Sequence, residues 1–371
     1  MSGTGFADLV RQAFAALDAD ARKRIVLAFH ADADGLSAGV LVREWLVRSG
    51  TPSVRPLSVA THEFGFEFLL EQARTATALI TLDLNLYTTA GVVDELAAAD
   101  LAVIAVDDHE LKTGSVPDRP GFHYLNPRLD GSAAAPSSLI GGLLLHAAPG
   151  DLDPVRIGTV AKVGLLGDWA LEEYGSCFPE ADVAVPELRR CVRLISTEYA
   201  SLAGRAPGED PLLDVLTSWL TGAGPVNALS RFLVEALPGL PERERLIEDE
   251  VRRCRRAPAE LRERCGNRRL ELVHITSPMR IVNLVASQRR RTSEPMVVVV
   301  TQTVDERQIM AELRISSSLG DYDLTRLLAR TADRADLISF GGHPPAAGCS
   351  FAPENHDAFV RALVEAFQDG E

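Results

Sequence analysis

The hydrophobic positions in the first third of the chain come in short unbroken runs separated by stretches of helical spacing. RIVLAFH (24–30), SVRPLSVAT (53–61), ALITLDL (78–84) and LAVIAVDD (101–108) are aliphatic or β-branched, and each is too short to make a helix of its own. Between them, GLSAGVLVREWLVRSG and TTAGVVDELAAAD carry apolar residues at helical spacing and stop near Gly or an acidic break. Strands alternating with helices predict an α/β fold with a parallel, doubly wound sheet. From about 186 to 270 the pattern changes to helix formers with charged faces, and PERERLIEDEVRRCRRAPAELRERC holds no strand-like run, so this stretch reads as a helical connector. Beyond it, LELVHITSP, PMVVVVTQTV and MAELRISSS return to strand composition, followed by helical patterns in DYDLTRLLARTA and HDAFVRALVEAF. The expected organisation is an N-terminal α/β domain over 1–185, a helical connector over 186–270, and a smaller α/β domain over 271–371.

Composition narrows the partners. The 371 residues carry 38 Lys and Arg against 52 Asp and Glu, a net charge of −14 that repels phosphate backbones at long range and excludes a DNA-coating or packing protein. Any nucleic-acid contact must be local. No apolar run approaches the roughly 20 residues that span a bilayer. The start MSGTGFADLVRQAF is broken by polar and acidic positions where a signal peptide is apolar, so a cytoplasmic protein with no membrane partner is expected. Five scattered cysteines without a CxxC pair argue against a disulfide framework and a zinc ribbon.

The acidic residues fall where the strands end. The first run ends in HADADG, giving His30, Asp32 and Asp34; the third ends at Asp83; the fourth ends in Asp107, Asp108 and His109. In a parallel sheet these ends open onto one edge, the crevice where ligands bind. Five carboxylates and two imidazoles gathered there would repel one another and lose hydration, so they call for cations, and oxygen-rich sites with one or two His suit Mn²⁺ or Mg²⁺. A lone Asp in such a place is more often a helix cap, as Asp34 could be; three strand ends together reverse that balance. Asp168, in GLLGDWA, adds a carboxylate after a glycine turn, a weak signal by itself. SFGGHPPAAGCSF puts His343 in a Gly-flanked loop able to approach an anion, and Arg314 stands in an apolar strand where it needs an anionic partner or must point outward.

Taken together, HADADG, Asp83 in TLDLN, VDDHE, NPRLDGSAAAPSS, GLLGDWA and GGHPPAAG resemble the motifs of the DHH phosphoesterases with their associated C-terminal domain, the family of RecJ-type exonucleases and nanoRNase-type enzymes. The resemblance spans nearly the whole chain except the connector. It implies two Mn²⁺ or Mg²⁺ ions held by His30, Asp32, Asp34, Asp83, Asp108 and Asp168, with Asp83 bridging. It further implies that His109, with Asp107, works beside the scissile phosphate, and that Arg314, Ser316, Gly341, Gly342 and His343 bind substrate from the second domain. The third motif departs from the family's Asp-His-His: here it is Asp107, Asp108, His109, so a carboxylate replaces the first imidazole. Sliding the motif by one would make His109 the ligand and leave Glu110 in the substrate position.

Three function classes follow. The first is a phosphodiesterase acting on short single-stranded nucleic acid. The second is a small-molecule phosphohydrolase acting on cyclic dinucleotides, phosphoadenosine phosphate or polyphosphate. The third is a non-catalytic nucleotide-binding protein, favoured only by the altered motif. Eight Arg between Arg252 and Arg269, and Arg289 to Arg291, could follow a phosphate backbone or form solvated faces; neither cluster has interleaved aromatics for stacking, which favours short substrates. His62, His123, His146 and His274 have no metal-type spacing. A homo-oligomer is compatible with all of this.

Overall fold

Apolar runs, each bounded by a turn, build two sheets. The computed structural model describes all residues except 1–2, 60–66, 89–90, 110–115, 117–118, 131–134, 149, 202–209, 223, 305 and 370–371. The chain forms two compact units, one of Met1–Tyr199 with Gly204–Arg243, the other of Ala200–Ala203 with Glu244–Glu371.

The first unit runs α1 (Gly3–Ala16), β1 (Ile25–His30), α2 (Ala33–Arg48), β2 (Val54–Val59), α3 (Glu67–Ala73), β3 (Ala78–Leu82), α4 (Val92–Ala98), β4 (Ala102–Val106), β5 (Phe122–Leu125), α5 (Ser137–His146), α6 (Pro154–Gly167), α7 (Leu171–Tyr174), α8 (Val185–Ser201), α9 (Pro211–Leu220) and α10 (Leu229–Ala236). Its five strands are all parallel in the order β2-β1-β3-β4-β5. Both sheet faces are covered at its centre, which is why β1, β3 and β4 are apolar almost throughout, whereas the edge strands β2 and β5 alternate in burial. Val26, Ala28, Leu79, Val103 and Ala105 pack with Leu69 of α3 and Val92 and Leu96 of α4. On the opposite face Gly39 of α2 lies so close to the Phe29 ring that a Cβ there would sit 2.7 Å from it. Strand order reverses between β1 and β3, and that switch point is where doubly wound sheets bind ligands.

The second unit contains α11 (Leu240–Cys254) from Glu244 onward, β6 (Leu261–Cys265), β7 (Arg268–Ile275), α12 (Val282–Arg289), β8 (Met296–Thr303), β9 (Ile309–Ile315), α13 (Leu324–Ala332), β10 (Ser339–His343), β11 (Ala346–Phe351) and α14 (His356–Gln368). The sheet order is β10-β11-β9-β8-β7-β6, with only β7 and β8 parallel. Leu272, Val299 and Leu313 face α13 and α14 on one side, while Val273, Val298 and Val300 face α11 and α12 on the other.

Among the described residues the segment read as a helical connector carries α8 to α11 as far as Cys254, but LRERC is a strand. It lies at the sheet edge, where charged side chains alternate with half-buried ones, so its charges do not prevent pairing. Among the described residues no helix is long and apolar enough to cross a membrane, and all five cysteines are free thiols.

Candidate metal centre

The ends of β1, β3 and β4 and the first turn of α2 deliver the acidic residues. Asp32, not Asp34, is the cap of α2: it is extended, and its side chain accepts from the Gly35 amide at 2.9 Å. That leaves Asp34 inside the first turn, buried to 1% exposure, where it accepts from the amides of Ser137 (3.0 Å) and Ser138 (3.2 Å) and from the Ser138 hydroxyl. It thus bolts the start of α2 to the start of α5, whose N-terminal amides favour an anion. Asp83, just past β3, adopts a left-handed backbone at φ 57° and is 4% exposed. His30 Nδ1 lies 2.9 Å from an Asp32 oxygen and 3.3 Å from an Asp83 oxygen.

After β4 the third motif splits its roles. Asp107 is buried and both oxygens are engaged, one with His109 Nδ1 at 2.7 Å and one with the Tyr124 hydroxyl at 2.5 Å. Asp108 is equally buried, and its Oδ2 has no hydrogen-bond partner. The loop is held in place by Arg128, which donates to the Asp108 carbonyl at 2.5 Å, and by Asn126, which donates to the His109 carbonyl at 2.8 Å. Asp168 caps the C-terminal end of α6.

Two groups of ligand-type atoms drawn from the first unit alone, each within 4.8 Å of one another, result among the described residues: His30, Asp32 and Asp83 in one, and Asp83, Asp107, Asp108 and His109 in the other. Asp83 belongs to both.

Their electrostatics show how uncomfortable the cluster is without counter-charge. Burial, then the Asp168 charge, pushes Asp34 up to about 8 in spite of its three donors. Burial likewise lifts Asp108 to about 7, and burial with the Asp108 charge lifts Asp168 to about 7. Burial and the neighbouring Asp32 carry Asp83 well above the carboxylate range. Burial opposes charge on the imidazoles too, but adjacent carboxylates win: Asp32 and Asp83 raise His30 well above its usual value, and Asp107 raises His109 to about 10. Conversely, burial disfavours the Asp32 carboxylate, yet His30 holds it down to about 2. Carboxylates forced to share protons, together with a buried carboxylate oxygen left without a donor, fit hard divalent cations, which take oxygen and imidazole ligands.

The fold has known relatives. The chain resembles a DHH-domain protein described as a member of the s1p family of ribosomal proteins, with a TM-score of 0.70, 15% identity, and 99% of this chain and 92% of that one covered. It also resembles the exonuclease RecJ bound to manganese, with a TM-score of 0.60, 20% identity and coverage of 99% and 95%. RecJ from Thermus thermophilus in complex with Mn²⁺ gives 0.59, 20% identity, 98% of this chain and 55% of that one. Residues 273–369 match the DHHA1 domain. The chain has the fold of these DHH-domain and RecJ proteins. No curated protein matches it in sequence.

Within the DHHA1 domain the residues expected to bind substrate fare differently. GGH belongs to β10, paired with β11, so the expected loop is the arm of a hairpin. Gly342 has φ 131°, and a Cβ there would lie 2.5 Å from the Ala346 carbonyl oxygen, so only glycine fits. Arg314 has the anionic partner that an Arg in a strand needs, Glu312 at 2.7 Å. Ser316 is wholly buried: its hydroxyl donates to the Glu294 carbonyl at 2.7 Å and accepts from the Met296 amide at 2.9 Å, so it pins the β8 start and offers a substrate no surface. Arg289 is equally committed, to Glu271 at 2.6 Å and to the carbonyls of Arg255 and Ala257. Arg252 and Arg253 pair with Asp249 and Glu250 on their own helix. Arg290 differs: burial, then Arg314 and Arg291, lowers its guanidinium, the mark of cations crowded together. Of the other expectations, His62 and Glu110 lie outside the described residues, as do residues 131–134 of the NPRLDGSAAAPSS stretch.

Sequence reading missed Tyr124, Arg128, Ser137 and Ser138, which hold the third motif and Asp34. They act from distant segments and carry no spacing signal.

Proposed function

We propose that this chain is a metal-dependent phosphodiesterase that hydrolyses short single-stranded oligonucleotides. The observation that carries this reading is the pair of ligand groups joined at Asp83 on the ligand-binding edge of a DHH fold. His30, Asp32 and Asp83 would hold one Mn²⁺ or Mg²⁺ and Asp83, Asp108 and Asp168 the other, with Asp34 supporting both. Such ions supply an activated water and neutralise the charge that builds on the phosphoryl oxygens. His109, fixed through Nδ1 by Asp107, orients a phosphoryl oxygen; Asp107, with both oxygens engaged, is its positioning residue. In the DHHA1 domain, Arg314, Arg290, Gly341, Gly342 and His343 would grip a substrate phosphate other than the one cleaved.

The short length follows from charge. Net charge is −14, and Arg252, Arg253 and Arg289 are occupied by local carboxylates, so the basic surface left suits a few phosphates rather than a long strand. A length series at one fixed salt concentration with Mn²⁺ tests this. kcat/KM is expected to fall beyond a handful of nucleotides, with weak dependence on base identity. Rates climbing steadily to long strands would restore a RecJ-type exonuclease, and turnover confined to a cyclic dinucleotide or polyphosphate would favour a small-molecule phosphohydrolase.

A further inference from the structure

Among the described residues, the only non-glycine residues with a left-handed backbone are Asp83 and Trp169. Trp169 follows Asp168 at the end of α6. There the Trp169 amide donates to the Leu166 carbonyl at 3.4 Å and the Ala170 amide to the Leu165 carbonyl at 2.8 Å, the two bonds of a Schellman turn. That turn asks for glycine at this position, because a Cβ makes the left-handed conformation costly. The chain instead carries an indole there, at φ 61° and 78% exposed; among the described residues the next most exposed large apolar one is Val47 at 52%. Neither the core nor the backbone explains the tryptophan.

Its position does. Asp168, the preceding residue, has a carboxylate oxygen within 4.8 Å of an Asp108 oxygen, so the exposed Trp169 stands at the rim of the carboxylate cluster. We infer that the Trp169 indole is the platform on which a nucleotide base stacks when its phosphate lies at the cluster, so that this site selects nucleotides over base-free phosphates. This rests on the phosphodiesterase reading of the same site and names its substrate class. Stacking suits the surroundings: an indole adds no charge beside the clustered carboxylates, and every base has a π face, which gives affinity without sequence preference. Polyphosphate, lacking a base, would gain nothing from it.

The test is calorimetric binding of adenosine 5′-monophosphate and of ribose 5-phosphate to the full chain with saturating Mn²⁺, for the wild type and for Trp169→Ala, Trp169→Phe and Trp169→Gly. One stacked base corresponds to about 5- to 140-fold in affinity. The wild type should therefore prefer the nucleotide by about tenfold, and Trp169→Phe should keep most of that preference. In Trp169→Ala and Trp169→Gly the preference should collapse to below about twofold, with ribose 5-phosphate affinity and bound manganese unchanged. Trp169→Gly should also melt no lower than the wild type, which separates a binding role from a structural one. A wild type without the preference, or a preference that survives Trp169→Ala, overturns the inference. Because the readout is binding, a protein that prefers the nucleotide through Trp169 yet cleaves no dinucleotide keeps the platform and sinks the phosphodiesterase reading alone.

Discussion

Asp83 shows at the scale of one residue what the site requires: a carboxylate buried to 4% exposure, in a strained backbone, shared by both ligand groups. Asp83→Ala should therefore abolish turnover and bound metal while the fold survives. The loss should exceed the about 10- to 100-fold typical of a supporting residue, which is the range expected for Asp107→Asn. Near-normal rates of Asp83→Ala under saturating Mn²⁺ would refute the shared-ligand assignment. Asp108 gives a second, independent check, since its unpartnered Oδ2 is a donor waiting for a cation. Asp108→His should retain metal and Asp108→Ala should weaken one site; equal affinities in calorimetric titration would pass the role to His109. Every one of these acids was legible in the sequence because each ends an apolar run. Which of them caps α2 was not: Asp32 and Asp34 are equally good caps by type, and only the amides of Ser137 and Ser138, far away in the chain, decide it.

At the scale of elements, the junction of β1 with α2 is the tightest point. A Cβ on Gly35 would lie 2.6 Å from the His30 amide nitrogen and 2.8 Å from its Cα, backbone that cannot swing aside. Gly35→Ala should push α2 away from β1, cost about 1–3 kcal/mol of stability and move His30 and Asp32 apart. A lowered denaturation midpoint together with weakened Mn²⁺ binding is expected, and wild-type values for both would show the junction to be slack. β1, β3, β4 and β8 were legible because buried strands are continuous in aliphatic residues, and β2, β7 and β9 because apolar residues recur along them between polar positions. The misses share a cause. β5 is four residues interrupted by His123, β6 is mostly charged, and β10 holds two glycines, so each forms through pairing with a neighbour rather than through its own composition.

For the whole molecule, the cluster ties stability to pH. Asp34, Asp108 and Asp168, lifted to about 8, 7 and 7 from 3.8, hold protons more tightly folded than unfolded, as does His109, lifted to about 10 from 6.5. After chelation, stability should therefore fall as pH rises through both windows, from about pH 4 to 8 and from about pH 6.5 to 10. Asp32 and Asp107 are lowered, so what they contribute disappears only in stronger acid. The chelated protein should melt lower at pH 8.5 than at pH 6, and Mn²⁺ should narrow the gap by taking the place of the protons; a flat or rising trend in chelator would contradict the assignment. The path of the chain between its units has a different consequence. The first unit is assembled from both sides of residues 200–203. Arg156 donates to the Trp219 carbonyl at 2.6 Å, the Tyr199 hydroxyl to Asp210 at 2.8 Å, and Arg243 to Glu198 at 2.6 Å, each bond crossing that point in sequence. Tyr199→Phe, which takes one donor from Asp210, should thus lower the stability of the first unit by about 1–3 kcal/mol, and an unchanged denaturation midpoint would show that the two stretches hold together without that tie.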